Sequence, residues 1–165
     1  MRSRFSLAAV IVAILIVGAV TAPSAGAAPA TDACLLVTQA QLSAALGVAM
    51  AAGTHTTPEY VKTCTWSPSG GATKSLKFVT LDLQPGDGFD RAKALMEQFK
   101  PKNAVINSVS GVGDEAYFTS FGGSINNLMV KKGSVAFKLA IYGDTPPEKA
   151  MAVEKTLASQ ILSKL

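Results

Sequence analysis

The chain has 165 residues, of which 48% are hydrophobic, and a formal net charge of +4 at pH 7. Its basic residues are scattered, and only Lys131 and Lys132 are adjacent. A nucleic-acid interface needs a clustered basic stripe, so the sequence argues against a nucleic-acid partner.

The N-terminus has the three-part layout of a secretory signal peptide. Two arginines come first, residues 5–20 form an uncharged apolar run of 16 residues, and small residues follow. This run is shorter than the roughly 18–20 residues that a helix needs to span a bilayer, so a retained membrane anchor is the less favoured alternative. We predict that residues 1–30 are a signal peptide, cleaved after Ala27 or Ala30, and that no stable membrane span remains after cleavage.

Residues 31–165 are long enough for a single domain with one hydrophobic core. Without the two N-terminal arginines, this part has 13 basic and 11 acidic residues, so its net charge is only +2. Its two cysteines, Cys34 and Cys64, predict one disulfide, because an exported chain with an even cysteine count normally pairs them. A redox or metal pair is the weaker alternative, since 30 residues separate them. Lipidation of Cys34 is disfavoured by Asp32, two positions before it.

Capping signals and helical spacing predict three helices. Thr38 and Gln41 form a capping box for the first helix. Thr145 and Glu148 have the same spacing before the last helix and predict a second capping box there, with proline in the first turn. The predicted helices cover residues 39–46, 88–100 and 146–164.

Segments rich in β-formers, with alternating apolar residues, predict the strands. In "VKTCTW", Cys64 and Trp66 alternate onto one face, so a disulfide would tie the start of the domain to the sheet beside the tryptophan. The clearest hairpin turns at Gly133. The predicted strands are 61–66, 76–83, 113–121, 124–132 and 134–142, and 104–109 is a further candidate. Short links between strands favour an α+β fold: a mostly antiparallel sheet with two to three packed helices, in the order α-β-β-α-β-β-β-α.

Few residues have the pattern of a chemical site. His55 is the only histidine, in a segment, 51–60, whose composition predicts an exposed loop. Without a companion histidine or free cysteine, we predict a solvated loop residue rather than a metal ligand or a base. Asp114 and Glu115 are neighbours on a predicted strand, so they point to opposite faces and cannot share a substrate. The sequence therefore predicts no catalytic residue, no metal site and no cofactor.

Three stretches carry a family resemblance: "DACLLVTQAQLSAALG" with Cys-Leu-Leu, "CTW" with Cys-x-Trp, and "GVGDEAYF" with Gly-Asp-Glu-Ala. Together they resemble a family of uncharacterised small exported proteins of mycobacteria and related actinobacteria, often of lipoprotein type. The resemblance implies a disulfide and a cell-envelope location, and it implies no catalytic residue. Many members carry a separate lipid-bearing cysteine, which this chain lacks, so the resemblance does not extend to membrane attachment.

Aromatic residues near glycines and strand ends are candidates for a binding groove, although such residues also fill small cores. The predicted groove residues are Tyr117, Phe118, Phe121 and Tyr142. We expect a secreted or cell-envelope protein that is not an enzyme and that binds a partner protein or a lipophilic ligand. One alternative is a loop-mediated inhibitor using 51–60 or 119–126. Another is a hydrolase using His55, which requires an Asp, Glu or Ser within hydrogen-bonding reach.

Overall fold

The computed structural model describes residues 32–99, 102 and 104–165. The predicted signal peptide, residues 1–30, and its cleavage sites lie outside the described residues. The described part contains three α-helices and a seven-stranded sheet in which every neighbouring pair of strands is antiparallel. This confirms the predicted α+β class.

The elements follow in chain order after a short 3-10 helix, Ala33–Leu35. The helices are α1 (Gln39–Leu46), α2 (Gly86–Phe99) and α3 (Pro147–Leu162). The strands are β1 (Thr54–His55), β2 (Thr63–Trp66), β3 (Phe78–Pro85), β4 (Ala104–Ser108), β5 (Glu115–Phe121), β6 (Ile125–Lys132) and β7 (Val135–Tyr142). The spatial order is β1-β2-β3-β7-β6-β5-β4, so β1 and β4 are the edges. The predicted order lacked the two-residue β1, and it left out the candidate strand that forms β4.

Helix α1 begins and ends as predicted. The Thr38 hydroxyl accepts from the Gln41 backbone N–H at 3.2 Å, and the Gln41 side chain accepts from the Thr38 backbone N–H at 2.9 Å. Gly47 follows with a φ of 68°, the left-handed conformation that ends many helices. Both signals involve residues close in sequence, which is why the prediction of 39–46 is confirmed.

The capping box predicted for α3 is wrong. Thr145 donates its hydroxyl to the Ser75 carbonyl at 2.7 Å, a contact with a distant part of the chain. Pro146 occupies the N-cap position without a side-chain capping bond. The helix start is instead favoured by the fixed φ angle of proline in the first turn. None of the described helices has the length and apolar character needed to cross a bilayer.

The two faces of the sheet are covered unequally. Helices α1 and α3 pack on one face and enclose the main core, in which each fully buried large side chain contributes about 1.5–3 kcal/mol. Core members include Leu42, Trp66, Leu81, Phe118, Leu128, Phe137 and Leu157. The other face is covered only in part by α2, whose Phe89 meets the ring of Tyr117 edge-on, with centroids 5.1 Å apart. This partly covered face is called here the open face.

Candidate functional site

A cleft of about 200 Å³ lies between α2 and the sheet. Ala92 and Met96 of α2 form one wall. Residues 117, 119 and 121 of β5 line it together because alternate residues of a strand share a face. The strand residues that line the cleft are Gln84, Tyr117, Thr119, Phe121, Asn127, Met129 and Lys138.

The cleft combines apolar and polar side chains. Tyr117 is only 5% exposed. Burial, with a smaller contribution from the Glu115 carboxylate, raises the pKa of Tyr117 to about 12, so its hydroxyl stays neutral. Thr119 and Asn127 face each other across β5 and β6, and the Asn127 amide donates to the Thr119 hydroxyl at 3.2 Å. An apolar cavity with a few convergent polar groups is the usual form of a small-molecule site.

Lys138 supplies the positive charge of the cleft. Its ammonium lies 4.0 Å from an Asp82 carboxylate oxygen, which is too far for a hydrogen bond. The Asp82 carboxylate instead accepts from the Thr63 hydroxyl at 2.6 Å and from the Gln84 amide at 2.9 Å. The Lys138 ammonium is therefore placed to donate to an oxygen of a bound molecule.

Three of the four predicted groove residues lie on the open face, and two of them line the cleft. Tyr117 and Phe121 line the cleft. Phe118 follows Tyr117 in β5 and so points to the opposite face, where it is buried in the main core. Tyr142 is on the open face but outside the cleft, stacked on Phe78 with ring centroids 4.2 Å apart. The four residues therefore do not line one groove.

A row of apolar side chains extends the cleft across the open face. The strand register places Phe78 beside Tyr142, Tyr142 beside Ile125, and Ile125 beside Phe121. All four are half-buried. Because Phe121 belongs to both the row and the cleft, the two form one continuous surface, called here the apolar row and cleft.

His55 does not lie in a solvated loop, so that prediction is wrong. It belongs to β1 and lies directly opposite Cys64 of β2. Its Nε2 is 2.8 Å from a carboxylate oxygen of Asp32, and each of these two side chains is 25% exposed. The same oxygen accepts from the Cys34 backbone N–H. The hydrogen bond with His55 lowers the pKa of Asp32, partial burial opposes the shift, and the Cys34 N–H adds to it.

The predicted disulfide between Cys34 and Cys64 is present, with Cα atoms 5.0 Å apart. It links the 3-10 helix to β2. Cys64 is buried beside Trp66, and Gly53 crosses so close that a Cβ there would lie 2.6 Å from the Cys64 sulfur. Cys34 is only half-buried. The disulfide therefore has one covered sulfur and one that is closer to solvent.

Asp32, Cys34 and His55 form a small cluster at this corner. One ligating atom from each lies within 4.8 Å of the other two. Asp32 meets the requirement for a hydrolase using His55, a carboxylate within hydrogen-bonding reach. However, the Cys34 sulfur beside this pair is held in the disulfide and is not a nucleophile. Sequence reasoning missed the cluster because Asp32 and His55 are 23 positions apart.

The two loops predicted for an inhibitor are only partly loops. In the segment 119–126, residues outside β5 and β6 are limited to the tight turn 122–124. In the segment 51–60, β1 occupies two positions, and residues 56–60 form an exposed turn. The part of these segments that projects freely is therefore short.

Strand β4 is an exposed edge of the sheet. Its five residues carry no charge, and Val105 and Ile106 are 47% and 37% exposed. Just before it, Phe99 at the end of α2 is 69% exposed. Natural sheets usually protect an edge with charge, proline or a bulge, so an uncharged edge is a candidate surface for strand pairing.

No family model, curated protein or solved structure matches this chain. The resemblance to small exported actinobacterial proteins therefore stays a prediction from three motifs.

Proposed function

We propose that this protein is a non-catalytic binding module, secreted or held in the cell envelope, that carries a lipophilic ligand on its open face. The observation that carries the proposal is the continuity of the apolar row and cleft through Phe121. The disulfide supports an exported protein, since disulfides persist mainly in oxidising compartments.

The dimensions of the site favour an elongated ligand. A cleft of about 200 Å³ is smaller than the roughly 300–1,000 Å³ of sites that enclose a whole drug-sized molecule. Only part of the ligand therefore fits beneath α2, and the rest lies along the row formed by Phe121, Ile125 and Tyr142. Removal of this apolar surface from water provides the main driving force, at roughly 25 cal/mol per Å².

The polar groups favour a ligand with an anionic or carbonyl end. The Lys138 ammonium is 4.0 Å from the Asp82 carboxylate, so this ion pair uses none of its three hydrogen-bond donors. The side chains of Asn127 and Thr119 lie beside it in the cleft lining. A medium-chain fatty acid matches both the polar groups of the cleft and the apolar row, with its carboxylate at Lys138 and its chain on the row.

A fluorescent polyene fatty acid tests this proposal by titration of the purified protein. We expect saturable binding that Ile125→Asp weakens at least tenfold, because a charge then interrupts the apolar row. Val105→Asp is the matched control, since Val105 is also a β-branched strand residue but its pairing with Ser120 places it on the other face. Lys138→Met should weaken binding of the acid more than binding of its methyl ester. No binding by the wild-type protein, or equal effects of Ile125→Asp and Val105→Asp, would contradict the proposal.

A partner protein is a second candidate, favoured by the exposed edge β4. A partner's extended segment would add a strand to β4 through main-chain hydrogen bonds, with Val105 and Ile106 supplying apolar contacts. A photo-crosslinking side chain at position 105 should then capture one defined envelope protein, and the same group at exposed position 155 should not. Identical adducts from both positions would argue against a partner strand on β4. Unaltered fatty-acid binding by Val105→Lys would show that the β4 edge and the fatty-acid site are separate.

A further inference from the structure

Three side chains of metal-binding type meet where the 3-10 helix packs against β1 and β2. Asp32 and His55 are already 2.8 Å apart, and one ligating atom each of Asp32, Cys34 and His55 lies within 4.8 Å of the others. We propose that these residues bind Zn²⁺ when the Cys34–Cys64 disulfide is reduced, and that the Cys64 thiolate completes the four ligands. The site is separate from the apolar row and cleft, which lies on β3, β5, β6 and β7, on the face of the sheet that carries α2.

The ligand set matches the chemistry of zinc. Thiolate, imidazole and carboxylate are its common protein ligands, in a tetrahedral arrangement with bonds of about 2.0–2.3 Å. Such bonds place neighbouring ligand atoms roughly 3–4 Å apart. The cluster is therefore close to the required spacing before any metal binds. The side chains of Asp32 and His55 are each 25% exposed, which leaves an approach from solvent.

Reduction supplies the ligands that the oxidised protein lacks, because a disulfide sulfur is not a thiolate. A dithiol donates two electrons and two protons to the Cys34–Cys64 bond and itself becomes a disulfide. Zn²⁺ then displaces both thiol protons to solvent, while His55 binds as the neutral imidazole and Asp32 as the carboxylate. The two sulfurs must separate from about 2.0 Å to about 3.8 Å.

The backbone that carries these ligands is held by contacts other than the disulfide. Asp32 accepts from the Cys34 N–H at 2.8 Å, and the Ala33 N–H donates to the Val61 carbonyl at 2.8 Å. Strand β1 pairs with β2 through Thr54 and His55. These contacts keep the 3-10 helix, β1 and β2 together after the sulfur bond opens, so the ligands stay within reach of one ion.

A single and a double cysteine variant separate this proposal from a purely structural pair of side chains. Cys64→Ser frees Cys34 beside Asp32 and His55, which leaves three protein ligands and a position for water. The double variant Cys34→Ser/Cys64→Ser also lacks the disulfide but has neither thiolate, which leaves only Asp32 and His55. With Co²⁺ as the probe and a phosphine reductant present, we expect Cys64→Ser to show a thiolate-to-cobalt absorption band. We expect its affinity to exceed that of the double variant by more than about 100-fold, beyond the 10–100-fold lost when an outer partner of a ligand is removed.

The other ligands are tested within Cys64→Ser. Adding His55→Asn or Asp32→Asn should weaken Co²⁺ binding at least about tenfold. Equal affinity of Cys64→Ser and the double variant, or a band unaffected by His55→Asn, would overturn the proposal. Should Cys64→Ser fold poorly, the reduced wild-type protein gives the same answer. Zn²⁺ should then raise the unfolding midpoint of the reduced protein or restore its near-ultraviolet Trp66 signal. It should leave the midpoint of the oxidised protein unchanged. A reduced protein that shows neither response to Zn²⁺ would also overturn the proposal.

Discussion

The carboxyl group of Glu154 lies against the backbone of Ile141, inside the core between α3 and the sheet. Glu154 is fully buried, and neither of its carboxyl oxygens makes a hydrogen bond of normal geometry within the described part of the chain. Burial raises the pKa of Glu154 well above its ordinary value, and the nearby Ile141 backbone opposes the shift only in part. A buried carboxyl group of this kind is stable only when it is neutral.

Glu154 should make the protein less stable as the pH rises. The pKa of the folded state is above the ordinary value of 4.5, so the folded protein binds the proton more tightly than the unfolded chain. The stabilising contribution of the protonated group is then fully present below the ordinary value of 4.5 and is lost as the pH rises through the folded value. We expect Glu154→Gln to remove this decline and to raise the free energy of unfolding at pH 8 by about 1–3 kcal/mol.

Urea denaturation from pH 4 to pH 9 measures this difference. Glu97→Gln, at an exposed position of α2, is the control and should follow the wild-type curve within about 0.5 kcal/mol. Parallel curves for the wild type and Glu154→Gln over the whole range would show that the buried carboxyl group does not titrate with folding.

The Gly-Val-Gly turn before β5 offers two glycines in the same backbone conformation but in different surroundings. Gly111 has a φ of 76° with open space around it, so Gly111→Ala should cost about 1–2 kcal/mol from strain alone. Gly113 has a φ of 64°, and a Cβ there would lie 2.5 Å from the Lys131 carbonyl oxygen. Gly113→Ala should therefore cost roughly 1–3 kcal/mol more. Thermal unfolding of both variants measures the difference, and equal midpoints would mean that the backbone yields without cost.

The contact between Asp32 and His55 should stabilise the protein in a pH-dependent way. The pKa of Asp32 is lowered in the folded state, so the stabilisation is present above the ordinary value of 3.8 and is lost as the pH falls through the folded value. We expect Asp32→Ala to cost about 1 kcal/mol near pH 6, because it also removes the cap of the 3-10 helix. The difference from the wild type should shrink below about pH 4. Asp144→Ala, at an exposed ion pair, should change little, and a constant difference for Asp32→Ala would contradict this account.

Loss of the disulfide should be costly whichever cysteine is replaced. It closes a loop of 30 residues, for which the chain-entropy estimate is roughly 3–4 kcal/mol. Cys64→Ser should cost about 1 kcal/mol more than Cys34→Ser, because it puts a hydroxyl at a buried position and Cys34 is partly exposed. Chemical denaturation of the two variants measures both quantities. Equal loss would indicate that the Cys64 site accommodates a hydroxyl.

The sequence predicted elements whose signals are local. The Thr38 capping box and Gly47 place α1 correctly, because each contact lies within a few residues. The same spacing failed at Thr145, whose hydroxyl bonds Ser75, 70 positions away in the chain. Glu154 was missed for a related reason: it lies next to Val153 within the apolar stripe of α3, and its burial is decided by how the helix rests on the sheet.

The binding surface was predictable only where strand alternation decides it. Because neighbouring residues of a strand point to opposite faces, Phe118 and Tyr117 cannot line the same groove. The apolar row depends on long-range pairing, since Tyr142 meets Phe78 and Ile125 through strands whose register the sequence does not reveal. The contact of His55 with Asp32 could not be predicted, because β1 is too short to give a strand signal and its pairing with β2 is a long-range contact.

The pairing of β3 with β7 also bears on how the chain reaches its folded state. Phe78 lies beside Tyr142, 64 positions further along the chain, and this central contact joins the N-terminal strands to the C-terminal hairpins. Closing so long a loop costs conformational entropy before the long-range contacts can form and offset it. Proteins in which such long-range contacts dominate fold slowly. On the proposed export route the chain crosses the membrane unfolded, and slow collapse would leave time for translocation before the sheet closes.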